Sequence, residues 1–451
     1  MYHIFKTELK RKFKNPVLWI MILIITVLLY INIERSYEAN EMDIILNYQP
    51  GIIVLSRDES YFDDSPITFN DNYSDSYNSI VSYTFEISRK AYFDHDLVKL
   101  NKIGSFRSLL SVNLYANSIG NGNRDDVLSK YLCQIANEEL WDKVSDGTKY
   151  EDIDFSYNGR LNLYNVISTI FRARYYYYLS INNLDEIEKN EFNNLYVLYN
   201  WTTEIIPILV VFVTILLSYD LINKDIKEGS TKLITTQSIP RWKYYMGKFF
   251  VTVIIVLFVI MLPLTISNIY LKFNVKSQPI NYPIVYDNQG LKKIKPSFNY
   301  IKENLKKYEK YEQVAFYKIP YSKVDSTQFK WPLYQRNTDL IGFDKFLLLT
   351  FFYNLLFIMF IIAFVQLISS IFNNVIISLF ATVGIYGGFY YLFRPFLHGK
   401  HYNLCPFTMN NGARIVAGTH NVTMLTATII LISSTILFLV IGLKYFKIKE
   451  I

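Results

Sequence analysis

The sequence predicts an all-α polytopic membrane protein with six transmembrane helices, an N-terminal interfacial helix and a mainly helical extracellular domain, α or α+β. Three observations predict it. Apolar residues make up 51% of the chain and charged residues 19%, fewer charges than the roughly 25% of soluble domains. The apolar residues gather in six runs near the length of ~20 residues that crosses the hydrocarbon of a bilayer. Lysine and arginine collect on alternate connections between those runs, as topology requires.

The elements follow in order. Residues 1–16 form a cytoplasmic interfacial helix: Ile4, Phe5, Leu9 and Phe13 share one helical face, and Lys6, Lys10, Arg11 and Lys14 the other. Such a helix lies in the plane of the membrane with its basic side toward anionic head groups. Residues 17–33 are the first span, opened by Pro16 and closed by Glu34 and Arg35. No small-residue cleavage site follows, so this run is read as an uncleaved anchor.

Residues 34–203 form an extracellular domain with 26 acidic and 15 basic residues, a net charge of −11. Val127, Leu128, Tyr131, Leu132, Ile135 and Leu140 follow helical spacing, as do Leu163, Val166, Ile167, Ile170 and Phe171. Strands are expected near 52–55 and 79–87. Residues 204–270 carry the second and third spans, with Tyr196, Tyr199 and Trp201 as an aromatic shoulder and a cytoplasmic loop over 223–248. A second extracellular insertion, 271–345, has 14 basic and 7 acidic residues, net +7. The fourth and fifth spans fill 346–393, an extracellular loop 394–423, the sixth span 424–443 and a cytoplasmic tail 444–451.

Orientation follows from the short segments. Lys6, Lys10, Arg11, Lys12 and Lys14 precede the first span. Lys224, Lys227, Lys232, Arg241, Lys243 and Lys248 lie between the second and third, and Lys444, Lys447 and Lys449 follow the sixth. With six spans all three segments share one side, which puts both termini in the cytoplasm of a plasma membrane. The abundance of Lys, Asn, Ile and Tyr suggests an AT-rich bacterial genome.

Several activities find no support. Gly247-Lys248 lacks the upstream glycine and the following hydroxyl of a phosphate-binding loop, so the chain carries no ATP site. No HExxH or GxSxG string occurs, and no catalytic residue, cofactor or metal site is assigned. His398, His401, Cys405 and His420 match no standard ligand spacing. The +7 formal charge is split between regions of opposite sign, so it does not point to nucleic acid. Ionisable residues are scarce within the spans: Asp220 lies near an inner end, and Glu204 stands at the outer edge of the second span, or inside the membrane if that helix begins at Tyr196. That scarcity weighs against ion-driven transport. Gly384, Gly387 and Gly388 share one face of the fifth span, where small residues allow close helix approach.

The inner loop reads DIKEGSTKLITTQSIPRWKYYMGK from Asp225 to Lys248. It resembles the membrane subunits of ATP-binding-cassette exporters of the second permease type (ABC-2). Asp225, Glu228, Gly229, Thr231, Leu233, Pro240, Arg241, Gly247 and Lys248 carry the resemblance. Asp225 stands where Glu is commoner, Ser230 precedes Thr231, and Pro240 abuts Arg241. The stretch HYNLCPFTMNNGARIVAG, 401–418, is similar to the family's Asn-x-x-Pro-Phe segment. A large external domain after the first span resembles the branch containing sodium and antimicrobial-peptide exporters.

The resemblance implies a permease subunit moving an amphipathic peptide, antibiotic or lipid outward, powered by a separate ABC ATPase that holds ATP and magnesium. It also implies a dimer with itself or a related permease, with a pathway near the second and fifth spans. Asp225, Glu228, Gly229, Thr231, Pro240, Arg241, Gly247 and Lys248 would then couple the ATPase to the spans. The competing reading is a membrane-anchored sensor or immunity protein whose external domain binds an antimicrobial peptide.

Overall fold

The first break in the chain is set by covalent chemistry. Pro16 has no amide proton and restricts the residue before it, so helix α1 (Tyr2–Phe13) ends and α2 (Pro16–Asn47) begins at a proline N-terminus. The Asn15 side chain accepts the Val17 amide at 3.1 Å and completes the turn. The computed structural model describes residues 2–47, 90–91, 93–105, 175–184, 192–227, 229, 240–275, 277–287, 338–393, 404–417, 420 and 422–448. The strands expected at 52–55 and 79–87, and the helical stretches at 127–140 and 163–171, lie outside these residues.

Six helices among the described residues are long and apolar enough to cross a membrane: Pro16–Arg35, Asn194–Lys227, Arg241–Asn274, Phe343–Ile371, Val375–Leu392 and Met424–Lys447. They correspond to the six apolar runs: the chain is a multi-pass membrane protein, and its described residues are almost wholly helical. Helix often continues past the apolar run. The first span extends to Asn47 as α2, and the third starts at Arg241.

The second span is not one smooth helix. It comprises α3 (Asn194–Asn200), a π turn (Trp201–Ile205), α4 (Ile206–Ser218) and, after a break at 219–222, α5 (Asn223–Lys227). The π turn has a local cause. Pro207 cannot donate to the Thr203 carbonyl four residues back, and the Ile206 amide reaches instead to the Trp201 carbonyl. Asn411 Nδ2, 208 residues further along the chain, donates to the freed Thr203 oxygen at 2.7 Å.

The third span is α6 (Arg241–Asn274). An antiparallel pair, β1 (Pro283–Asp287) and β2 (Thr338–Gly342), joins it to α7 (Phe343–Ile371), with Ile284 opposite Ile341. Helix α7 is the hub. Phe357, Phe360, Ile361, Ile362, Ala363 and Val365 are buried around its circumference, against α4, α6 and α10 (Met424–Ile448). In lipid, where apolar burial gives no net drive between helices, such packing and polar contacts hold a bundle together.

The fifth span, α8 (Val375–Leu392), is held differently. Only Ser378 and Thr382 are buried along it. An aromatic anchor is Phe407, in the turn Pro406–Thr408, which stacks on Phe389 at 5.1 Å and meets Tyr386, Phe360 and Phe364 edge to face. The following helix α9 (Gly412–Val416) fits against α7 because Gly412 has no side chain: a Cβ there would lie 2.7 Å from the Thr350 carbonyl. At Gly384, Gly387 and Gly388 a Cβ would meet nothing within 4 Å. No neighbour among the described residues uses their small size.

Helix α1 is docked. Phe5, Leu9 and Phe13 pack on the core, Phe13 edge to face with Phe258 of α6 at 5.0 Å. Lys6, Lys10 and Lys14 remain exposed.

Candidate functional site: a charge clasp under the 225–248 loop

The residues that open and close the 225–248 loop meet. Asp225 on α5 and Lys248 on α6 form an ion pair, and each residue is 1% exposed. Burying two charges is costly unless both are paired and hydrogen-bonded throughout. The partners are supplied by three elements. Tyr244 lies one turn before Lys248, on the same face of α6, and its hydroxyl donates to the second-bonded carboxylate oxygen, Asp225 Oδ2. Arg11 of α1 donates to Asp225 Oδ1 at 3.0 Å. Glu8, one turn back from Arg11, accepts from it at 3.0 Å and lies 3.6 Å from Lys248 Nζ. Two carboxylates and two cations therefore balance.

The break between α4 and α5 completes the site. Interrupting a helix leaves amide and carbonyl groups without partners. Lys248 Nζ donates to the freed Leu221 carbonyl at 2.9 Å. On the donor side, Ser369 Oγ of α7 accepts the amides of Ile222 and Asn223 at 3.1 and 3.2 Å, capping α5 from a distant helix. Lys12 adds a bond to the Leu217 carbonyl at 3.3 Å. Burial pushes its ammonium below the usual lysine range, with Asp220 partly opposing.

The remaining loop residues divide. Gly229 turns the chain out of α5 at φ +69°, a left-handed conformation that a Cβ disfavours. Gly229→Ala should cost about 1–2 kcal/mol locally, seen as faster tryptic cleavage at Lys232 with unchanged global unfolding. Pro240 stands at the N-cap of α6 with φ −57° and ψ 133°, so the loop re-enters its helix extended. Arg241 donates to the Lys447 carbonyl at 2.7 Å, where a cation suits the negative end of α10. Gly247 is buried within α6. Glu228 and Thr231 lie outside the residues described.

Asp225, Arg241 and Lys248 thus make their contacts within this chain and position the loop. The sequence analysis missed Glu8, Tyr244 and Ser369. Glu8 carries one signal, being the only acid among the basic residues of α1. Among the described residues no group of three or more His, Cys, Asp or Glu side chains is gathered that could hold a metal. Cys405 and His420 lie in the segment around Phe407, where His420 Nε2 is 2.8 Å from the Thr408 carbonyl oxygen; His398 and His401 lie outside the description.

A sequence model of the family described as ABC-2 family transporter protein matches residues 2–449. No curated protein and no solved structure matches the chain.

Proposed function

The chain belongs to the ABC-2 family of transporter proteins, and from that premise we propose that it is the permease subunit of an exporter, with the 225–248 loop as the seat of its ATPase. The family sets the chain in a membrane as part of an ABC transporter with a partner ATPase. The exported molecule is an amphipathic peptide, antibiotic or lipid. ATP and magnesium belong on the partner, both termini face the cytoplasm of a bacterial plasma membrane, and two permease chains form the pathway.

The observation that carries the coupling role is the clasp. A flexible loop would absorb the movement of a partner resting on it. Here both ends are tied, Asp225 to Lys248, and the tie includes α1 through Glu8 and Arg11. Arg241 extends the connection to the end of α10. A displacement of the loop is therefore delivered jointly to α1, α4, α6 and α10. The open, glycine-bearing face of α8 supports the dimer, because close helix approach remains available to a second chain.

Glu228 is the residue for the test, since the clasp accounts for Asp225 and Lys248 without a partner. Losing one member of a charge pair buried at an interface typically costs ~2–5 kcal/mol, and a solvated charge far less. Glu228→Ala should leave insertion and thermal stability near wild type and reduce copurification of the ATPase. Lys224→Ala, exposed beside the clasp, should leave copurification unchanged. Equal recovery of the ATPase with Glu228→Ala and wild type would remove Glu228 from the interface.

A further inference from the structure

At the opposite end of the second span one carboxylate, Glu204, has no ion-pair partner among the described residues. Trp201 Nε1 donates to Asn32 Oδ1 of α2 at 3.0 Å, which sets Trp201 level with the last turn of the first apolar run. Glu204 falls three residues further into the span, below the aromatic shoulder of Tyr196, Tyr199 and Trp201. A carboxylate that deep is unfavourable unless a cation or water answers it. None of the ion pairs among the described residues includes Glu204.

Its direction is set by the π turn. Trp201 and Thr202 are buried, Glu204 is exposed, and Pro207 and Leu209 are buried again. Glu204 therefore points away from the bundle. Ile208 is 69% exposed and Phe212 59%, and at four and eight residues beyond Glu204 they continue the same face. The wider π turn exists because Pro207 lacks an amide, and it is held open by Asn411 on the Thr203 carbonyl. Single π turns of this kind recur at functional sites. The face is thus a negative charge at the membrane edge followed inward by an apolar stripe.

We propose that Glu204, Ile208 and Phe212 form a subsite for an alkylammonium amphipath, its cation on the Glu204 carboxylate and its chain along Ile208 and Phe212. This complements the site in both charge and polarity order: a cation at the membrane surface and a hydrocarbon tail below it. As a step in export it rests on the permease reading; as a binding site it needs only this chain. The occupant is the transported amphipath; a choline head group of the surrounding lipid is the alternative that the test separates.

The test uses the full chain in nanodiscs of an uncharged glycolipid and a photoactivatable hexadecyltrimethylammonium probe, with an uncharged probe of the same chain length. Glu204→Gln should weaken labelling by the ammonium probe by about tenfold, the loss of ~1.4 kcal/mol, and leave the uncharged probe unchanged. Phe212→Ala should weaken both. In phosphatidylcholine discs, undiminished ammonium labelling of the wild type supports the amphipath as the occupant, and reduced labelling of the wild type alone overturns that occupant in favour of lipid choline. Equal ammonium labelling of wild type and Glu204→Gln overturns the site. That result leaves the permease reading intact, because ATPase association is read elsewhere, at the loop.

Discussion

Lys248→Met is expected to destabilise the folded chain by about 3–5 kcal/mol, the usual consequence of removing one member of a buried ion pair. Methionine retains the length of the side chain, so the loss is mainly electrostatic. Asp225 would keep Arg11 and Tyr244, but Glu8 would lose its second cation and the Leu221 carbonyl its donor. Asp225→Asn made in the same chain removes the excess negative charge. The double variant should therefore be less destabilised than the sum of the two single variants, which is the behaviour of groups in one network. Unfolding in mixed micelles of rising dodecyl sulfate fraction measures all three. Additive losses would mean that Asp225 and Lys248 act independently and that there is no clasp.

Asn411→Ala is expected to cost about 1–3 kcal/mol through the orphaned Thr203 carbonyl. About 1 kcal/mol more comes from the lost cap, since Asn411 Oδ1 also accepts the Arg414 amide. The cause of the first loss lies at Pro207, and this gives a rescue. Pro207→Ala restores an amide that can donate to Thr203, so Asn411→Ala should be milder in a Pro207→Ala background. The cap is not restored, so rescue should be partial. The same titration reads the cycle, and a full Asn411→Ala penalty with Pro207→Ala present would show that the Thr203 bond carries no weight.

These two networks show what the sequence could and could not reveal. The spans were legible because hydrocarbon thickness imposes run length on each segment independently. The loop from Asp225 to Lys248 was legible as a unit through family resemblance and its turn residues, and Gly229 and Pro240 occupy turn and cap positions that suit them. The break at 219–222 was not legible. No glycine or proline marks it, and Ser369 and Lys248 stabilise it from elsewhere in the chain. Pro207 stands in the sequence for anyone to read, but its consequence depends on Asn411, which only the fold brings near. The poor burial of α8 was equally hidden, since an apolar face toward lipid and one toward protein have the same composition. In α1 the pattern of charges was plain, yet pattern could not separate Arg11, which turns inward to Asp225, from Lys6, Lys10 and Lys14, which do not.

The central claim is that the 225–248 loop of this permease is the seat of a separate ATPase. A photoreactive amino acid at position 230, in place of Ser230, tests it in intact cells. The expected product on illumination is a covalent adduct between this chain and a polypeptide containing a phosphate-binding loop. The same probe in place of Ser145, in the expected external domain, should give no such adduct. Capture of that ATPase from position 145 and not from 230, or its absence from the adducts of position 230 while both proteins are present in the membrane, would contradict the claim.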